Sequence, residues 1–154
     1  MKVDKAARYI GGEVNSVMKD KNKVDIRFAM CFPDVYEIGM SNLGMMILYN
    51  MFNEREDVWA ERVFSPWLDL DKIMREKEIP LFALESQEPV KNFNFLGITL
   101  GYEMCYTNVL QVLDLSHVSL LAKDREEDDP IVIGGGACAY NPEPIAEFFD
   151  MFYI

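Results

Sequence analysis

Residues Val24–Phe32 read VDIRFAMCF, a mixed and then continuous apolar run, and Ser41–Glu56 follow with Leu43, Met46, Ile47 and Met51 at helical spacing. That is a strand, a loop and a helix with one apolar face turned to a core. The unit recurs. A strand over about Trp59–Phe64 leads to a helix over Trp67–Lys77 with Trp67, Leu70, Ile73 and Met74 on one face, stopped by Pro80. Leu81–Leu84 reads as a short extra strand. Phe95–Leu100 (FLGITL) feeds a helix from Thr107 to Ser116, with Tyr106, Val109, Leu110 and Leu113 at helical intervals and Thr107 placed as its N-cap. Ile131–Ile133 is short and wholly apolar, as a central parallel strand covered on both faces should be, and a short helix near Pro144–Phe149 leads to a last strand, Met151–Ile154.

Strands alternating with helices predict an α/β fold: a doubly wound, mainly parallel sheet of the flavodoxin-like or Rossmann-like type, in three α/β/α layers with right-handed crossovers. With 154 residues, half of them hydrophobic, the chain is long enough for one sizeable core. We expect residues 1–22 to be an N-terminal extension packing on a domain formed by 23–154. The chain stops in what reads as a buried strand, so a fragment of a longer protein is the expectation.

Fifteen basic against 26 acidic residues give a net charge of −11 without a basic stripe, which opposes direct nucleic-acid binding. The run Asp124–Asp129 is expected to be a solvated loop. No segment approaches the roughly 20 apolar residues that cross a bilayer, so no membrane partner is expected. The three cysteines, Cys31, Cys105 and Cys138, are odd in number and far apart in sequence, fitting neither a disulfide ladder nor a Cys-x-x-Cys metal clamp. A reducing cytoplasm suits them. The ten methionines fall mostly on helix faces, where they should fill core, with Met40, Met45 and Met104 near the loops as adaptable pocket lining.

In a doubly wound sheet the ligand crevice lies beyond the carboxyl ends of the strands. Three loops should meet there: Pro33–Asn42 (PDVYEIGMSN), Gly101–Asn108 (GYEMCYTN) and Gly134–Asn141 (GGGACAYN). They nominate Asp34, Tyr36, Gly39 and Ser41 from the first, Gly101, Tyr102, Glu103 and Thr107 from the second, and Gly134, Gly135, Gly136 and Tyr140 from the third. Glycines let backbone approach a flat ligand, and tyrosines add planar area with a hydroxyl handle. The same glycines serve a tight turn equally well. The triplet is not Gly-x-Gly-x-x-Gly and no phosphate-loop lysine is present, which disfavours a dinucleotide fingerprint. Asp34 and Glu37 lack the lysine that a phospho-acceptor pocket needs. Glu103 reads as a solvated acid at a helix start before it reads as a general acid or base. No histidine is placed to activate Cys138, and His117, the only histidine, follows the third helix and should lie far from the carboxyl edge.

The stretch IVIGGGACAYNPEPIAEFFDMFYI resembles the end of the cobalamin-binding-type domain that precedes the catalytic core in many radical S-adenosylmethionine (SAM) proteins, through Gly134, Gly135, Pro142, Glu143 and Asp150. PDVYEIGMSNLGMMILYNMFNER and FLGITLGYEMCYTN resemble that family's first loop and helix and its third strand and loop. ARYIGGEVN, FPDVYEIGMSNLG and LFALES are similar to a subgroup of unassigned reaction, so the resemblance runs from about Ala7 to Ile154. It implies a corrinoid-binding fold in front of a radical SAM core, which is the expected partner and would alone carry the [4Fe-4S] cluster and S-adenosylmethionine. The three cysteines here lack the cluster spacing. Asp34-Val35-Tyr36-Glu37-Ile38-Gly39 stands where cobalamin domains carry Asp-x-His-x-x-Gly, with tyrosine at the position of the histidine ligand. The resemblance therefore implies cobalamin held without a histidine ligand, by a domain not catalytic alone. Two alternatives stand beside it: a scaffold or docking domain that kept the fold without a cofactor, and a flavin or nucleotide binder.

Overall fold

The alternation of strand and helix resolves into one sheet. In the computed structural model, which describes residues 3–154, the strands are β1 (Ile26–Phe32), β2 (Val58–Phe64), β3 (Phe95–Thr99), β4 (Ile131–Gly135) and β5 (Met151–Tyr153). All pair in parallel, in the order β2-β1-β3-β4-β5. Parallel neighbours require crossovers. Helices α1 (Tyr36–Met40) and α2 (Leu43–Asn53) join β1 to β2, α3 (Leu68–Lys77) joins β2 to β3, and α4 (Tyr106–Leu115) joins β3 to β4, while 3-10 turns over Ala137–Tyr140 and Glu143–Phe148 carry the chain to β5. The order is flavodoxin-like. It reverses at β1, so the carboxyl ends of β1 and β3 flank the topological switch point.

Alternate side chains feed two cores. Ala29, Cys31, Val63, Leu96, Ile98 and Val132 point to one face and pack with Met74 of α3 and Val109, Val112 and Leu113 of α4. Met30, Phe32, Ala60 and Phe64 point to the other and pack with Met45 and Tyr49 of α2. Each Val, Leu, Ile, Phe or Met among them, fully buried, contributes about 1.5–3 kcal/mol.

Strand β2 is an edge strand, yet all seven of its residues are buried. The loop after α3 covers its free side: the Leu84 N–H donates to the Arg62 carbonyl (2.7 Å), and the Arg62 N–H donates to the Glu85 carboxylate (2.7 Å). The N-terminal segment adds the rest. The Val17 carbonyl accepts from Trp59 Nε1 (2.9 Å), Val17 N–H donates to the Tyr49 hydroxyl (2.7 Å), and Lys19 Nζ donates to the carbonyls of Asn53 (2.9 Å) and Val58 (2.6 Å). An unpaired strand edge is thereby closed to other chains.

Two ion pairs are buried beside this edge. Glu61 accepts from Arg27 Nη2 (2.5 Å) and from Ser86 N–H (2.9 Å), and the Arg27 guanidinium lies 4.1 Å from the Phe93 ring centroid. On the other face Arg62 Nε donates to Glu85 (2.7 Å), with Asn15 and Ser16 of the N-terminal segment accepting from its two terminal nitrogens at 3.0 Å. Hydrogen bonds on several sides offset the cost of desolvating these charges.

Several sequence expectations are corrected. Leu81–Leu84 is not a strand: it makes one isolated antiparallel bridge, Phe82 to Pro89, because it is stitched to β2 by the bonds above. Thr107 is not an N-cap: α4 starts at Tyr106, continued from a 3-10 turn over Glu103–Cys105 that takes the place of a cap. The segment near Pro144–Phe149 is 3-10 rather than α-helical. Trp67 precedes α3 and is exposed. Leu43, Met46, Ile47 and Met51 of α2 face outward, since Met45 and Tyr49 hold the helix to the sheet, so Met46 and Met51 do not fill core.

Glu61→Ala leaves Arg27 buried with only Glu88 as counter-ion, and should cost about 3 kcal/mol. Glu88→Ala, at a partly exposed position, should cost less than half of that; urea unfolding of the two variants at pH 7 gives the comparison.

Candidate functional site

The loops after β1, β3 and β4 do meet at the carboxyl edge. Asp34 lies two residues beyond the end of β1; one of its oxygens accepts from Val35 N–H (2.7 Å) and the other from the hydroxyl of Tyr102, on the loop after β3. Asn108 in the first turn of α4 donates from Nδ2 to the Pro33 carbonyl (2.9 Å). These two bonds tie the loops together across the switch point. The bond to the Asp34 carboxylate is the main cause that pushes the Tyr102 phenol up to about 12, with partial burial adding to it.

The third loop is sewn to the end of β3. Leu100 N–H donates to the Gly135 carbonyl (2.6 Å), and Cys138 N–H donates back to the Leu100 carbonyl (3.0 Å). The three glycines have three different settings. A Cβ on Gly134 would lie 2.7 Å from the Phe152 ring, so that glycine makes room for core. Gly135 has only ordinary contact available, with the Tyr153 carbonyl at 3.9 Å. Gly136 has φ +112°, where a side chain is strained, and a Cβ there would lie 2.8 Å from the Leu100 carbonyl oxygen. The turn explanation accounts for Gly136 and packing for Gly134.

Tyr36, Gly39 and Ser41 lean away from this meeting point toward the β2 edge. The Tyr36 hydroxyl donates to Glu13 (2.6 Å) and its ring meets Phe64 edge-on at 5.6 Å, and burial with this bond raises its pKa to about 12. Gly39 sits under the Phe64 ring, where a Cβ would be 2.3 Å away. Ser41 Oγ donates to the Ile38 carbonyl at the end of α1 (2.8 Å). Glu37 is bound by Arg8, whose hydrogen bond holds its carboxyl below the ordinary value. Asp34 and Glu37 thus serve different partners.

What remains open to solvent is a shelf on the loops after β3 and β4. Gly101 has nothing within 4 Å of a would-be Cβ, Tyr102 and Glu103 are exposed, and Thr107 and Tyr140 are exposed beside them. Met104 stands out at 86% exposure, whereas Met45 is buried and Met40 is half-buried against Arg62. Asn108 and Glu13 escaped sequence reasoning, because a lone polar residue at a helix start or in an irregular segment has no periodicity to announce its partner. Cys31, Cys105 and Cys138, distant in sequence, all join the core on the α4 side and are free thiols; burial raises the first two.

The family described as radical SAM proteins, N-terminal, matches residues 44–154, and the chain belongs to that family. The chain is also similar to the uncharacterized protein MJ0966 of Methanocaldococcus jannaschii, at 28% identity over 129 residues, 82% of this chain. It spans only 23% of the length of that curated relative. Among the described residues no helix is long and apolar enough to cross a membrane, and no group of three or more His, Cys, Asp or Glu side chains could hold a metal ion.

Gly136→Ala should destabilise the domain by about 1–3 kcal/mol, while Gly135→Ala leaves its thermal midpoint within a degree or so. The latch has its own signature. A bond that favours neutral Tyr102 contributes stability below the ordinary tyrosine value near 10, lost as pH rises through about 12. In Asp34→Ala, ultraviolet titration should find one phenol ionising near 10 that ionises about two units higher in the parent.

Proposed function

We propose that this is an accessory domain of a radical SAM protein that holds a corrinoid flat against the shelf after β3 and β4, without a protein ligand to cobalt. The observation that carries it is the open shelf at the carboxyl edge: Gly101 leaves room for a close approach, and exposed Tyr102, Met104 and Tyr140 offer planar and polarisable contact. These residues fit a group bound by surface contact. They do not fit a histidine-ligated one, because Tyr36 at the ligand position is turned to Glu13 and Phe64. His117 follows the end of α4, which runs away from this edge. Bound there, the corrinoid would supply methyl or electron transfer to chemistry carried out elsewhere in the polypeptide.

The second reading is a scaffold that keeps the fold without a cofactor. The Tyr102 to Asp34 hydrogen bond favours it, since it spans the crevice where such sheets take their ligands. A nucleotide or flavin has no comparable support.

The test is to mix the full-length protein with hydroxocobalamin, desalt, and record the visible spectrum. Retained corrin absorbance, lowered about tenfold in affinity by Gly101→Trp with unchanged circular dichroism, is the expected result. No retention in the parent or in Tyr102→Phe, which lacks the latch, would establish the scaffold instead.

A further inference from the structure

Helix α2 carries no charged residue between Leu43 and Asn53, and is apolar apart from Asn50 and from Asn53, which bonds to Ala60 of β2. A helix of that composition belongs inside a protein. Here only Met45 and Tyr49 are buried, while Leu43 is 68% exposed, Ile47 56% and Met51 50%. The neighbouring sheet face has the same character. On the α2 side, β3 presents Phe95, Gly97 and Thr99, β4 presents Ile131, Ile133 and Gly135, and β5 presents Met151 and Tyr153, because their alternate residues point into the core on the α4 side. Ile131, Met151 and Tyr153 are exposed.

The two surfaces are continuous. Phe52 of α2 stacks on Phe28 of β1 at 4.9 Å, and Phe28 stacks on Phe95 of β3 at 5.7 Å, so the flank of the helix passes into the sheet without a polar break. In register, Gly97 lies beside Ile133 and Ile133 beside Met151, while Thr99 lies beside Gly135 and Gly135 beside Tyr153. The floor is therefore small in the middle and apolar at its rim. From β3 to β5 it spans two strand spacings, about 10 Å, the diameter of one helix.

We infer that this trough, between the outer flank of α2 and the β3-β4-β5 face, is the seat of an uncharged-faced amphipathic helix from the same polypeptide, C-terminal to Ile154. Three observations choose that occupant. The family is that of N-terminal domains of radical SAM proteins, and the matched region is 23% of the curated relative's length, which leaves ample chain to supply it. Strand β5 ends on the rim of the trough itself. The links from β3 to β4 and β4 to β5 pack on the opposite face through Val109, Leu113 and Ile145. A chain that leaves β5 and turns back toward the sheet centre with the same hand must run on the α2 face. The inference rests on family membership and is independent of corrinoid binding.

Methionine footprinting of the full-length protein with hydrogen peroxide, without cobalamin, tests it. Met18, 63% exposed on the N-terminal segment, sets the rate of a free side chain, and buried Met74 that of a covered one. Met51 and Met151 should oxidise about tenfold more slowly than Met18, at rates nearer Met74; rates equal to Met18 overturn the inference. A photo-crosslinking side chain in place of Ile47 identifies the occupant. A monomer-mass product joined to a peptide beyond residue 154 is expected. A dimer-mass product would assign the trough to a second copy, and a product joined only within residues 3–154 would leave it no occupant; either overturns the inference. Cobalamin retention can fail while the protection holds, so the two readings fail separately.

Discussion

A parallel sheet offers neither face to water cheaply, and most of this domain follows from that constraint. Every strand runs the same way, so every link must cross a face, and the crossings decide which face is covered. On one side α3, α4 and the turns before β5 make a continuous layer over Leu96, Ile98 and Val132. On the other, α1 and α2 cover β1 and β2 only. The imbalance is a consequence of strand order: one crossing goes one way from β1 and the remaining ones go the other.

The covered end of the sheet carries the charge. Strand β2 places Glu61 on one face and Arg62 on the other, both buried, and the elements folded over the edge supply their partners. Arg27, Ser86 and Glu88 close around the first, and Glu85, Asn15 and Ser16 around the second. The N-terminal segment and the loop after α3 are thus bound by specific polar contacts as well as by apolar cover. An edge strand that needs its partners in order to be neutralised is also an edge strand closed to unrelated chains.

The fold was legible because parallel strands are short, apolar and separated by helical periods, and β1, β2, β3 and β5 lie within two residues of their expected bounds, with β4 running on through two glycines. Side-chain direction was less so. Leu43, Met46, Ile47 and Met51 do recur at helical spacing, but in a helix that is apolar nearly all round, periodicity cannot say which side meets the sheet; Met45 and Tyr49 take that side. Thr107 has the composition of a cap without the role, because a 3-10 turn precedes α4. The bond between Asp34 and Tyr102 joins residues 68 apart, and no local pattern in sequence announces it.

The glycine run shows the same limit at closer range. Gly134, Gly135 and Gly136 look alike in sequence and are physically unlike: the first gives its volume to Phe152, the third supplies a backbone angle beneath Leu100, and the second alone has room for a side chain at ordinary contact distance. A ligand-cradling loop would need its glycines turned toward the crevice. Here the loop is instead fixed to β3 through Leu100 on both sides, so its rigidity serves to hold Tyr140 and the shelf at the carboxyl edge. Tyr36 makes the complementary point from the first loop. Its hydroxyl belongs to Glu13 and its ring to Phe64, so this position fastens the N-terminal segment. The second and third loops are therefore what stays open at this edge, and the first reaches them through Asp34.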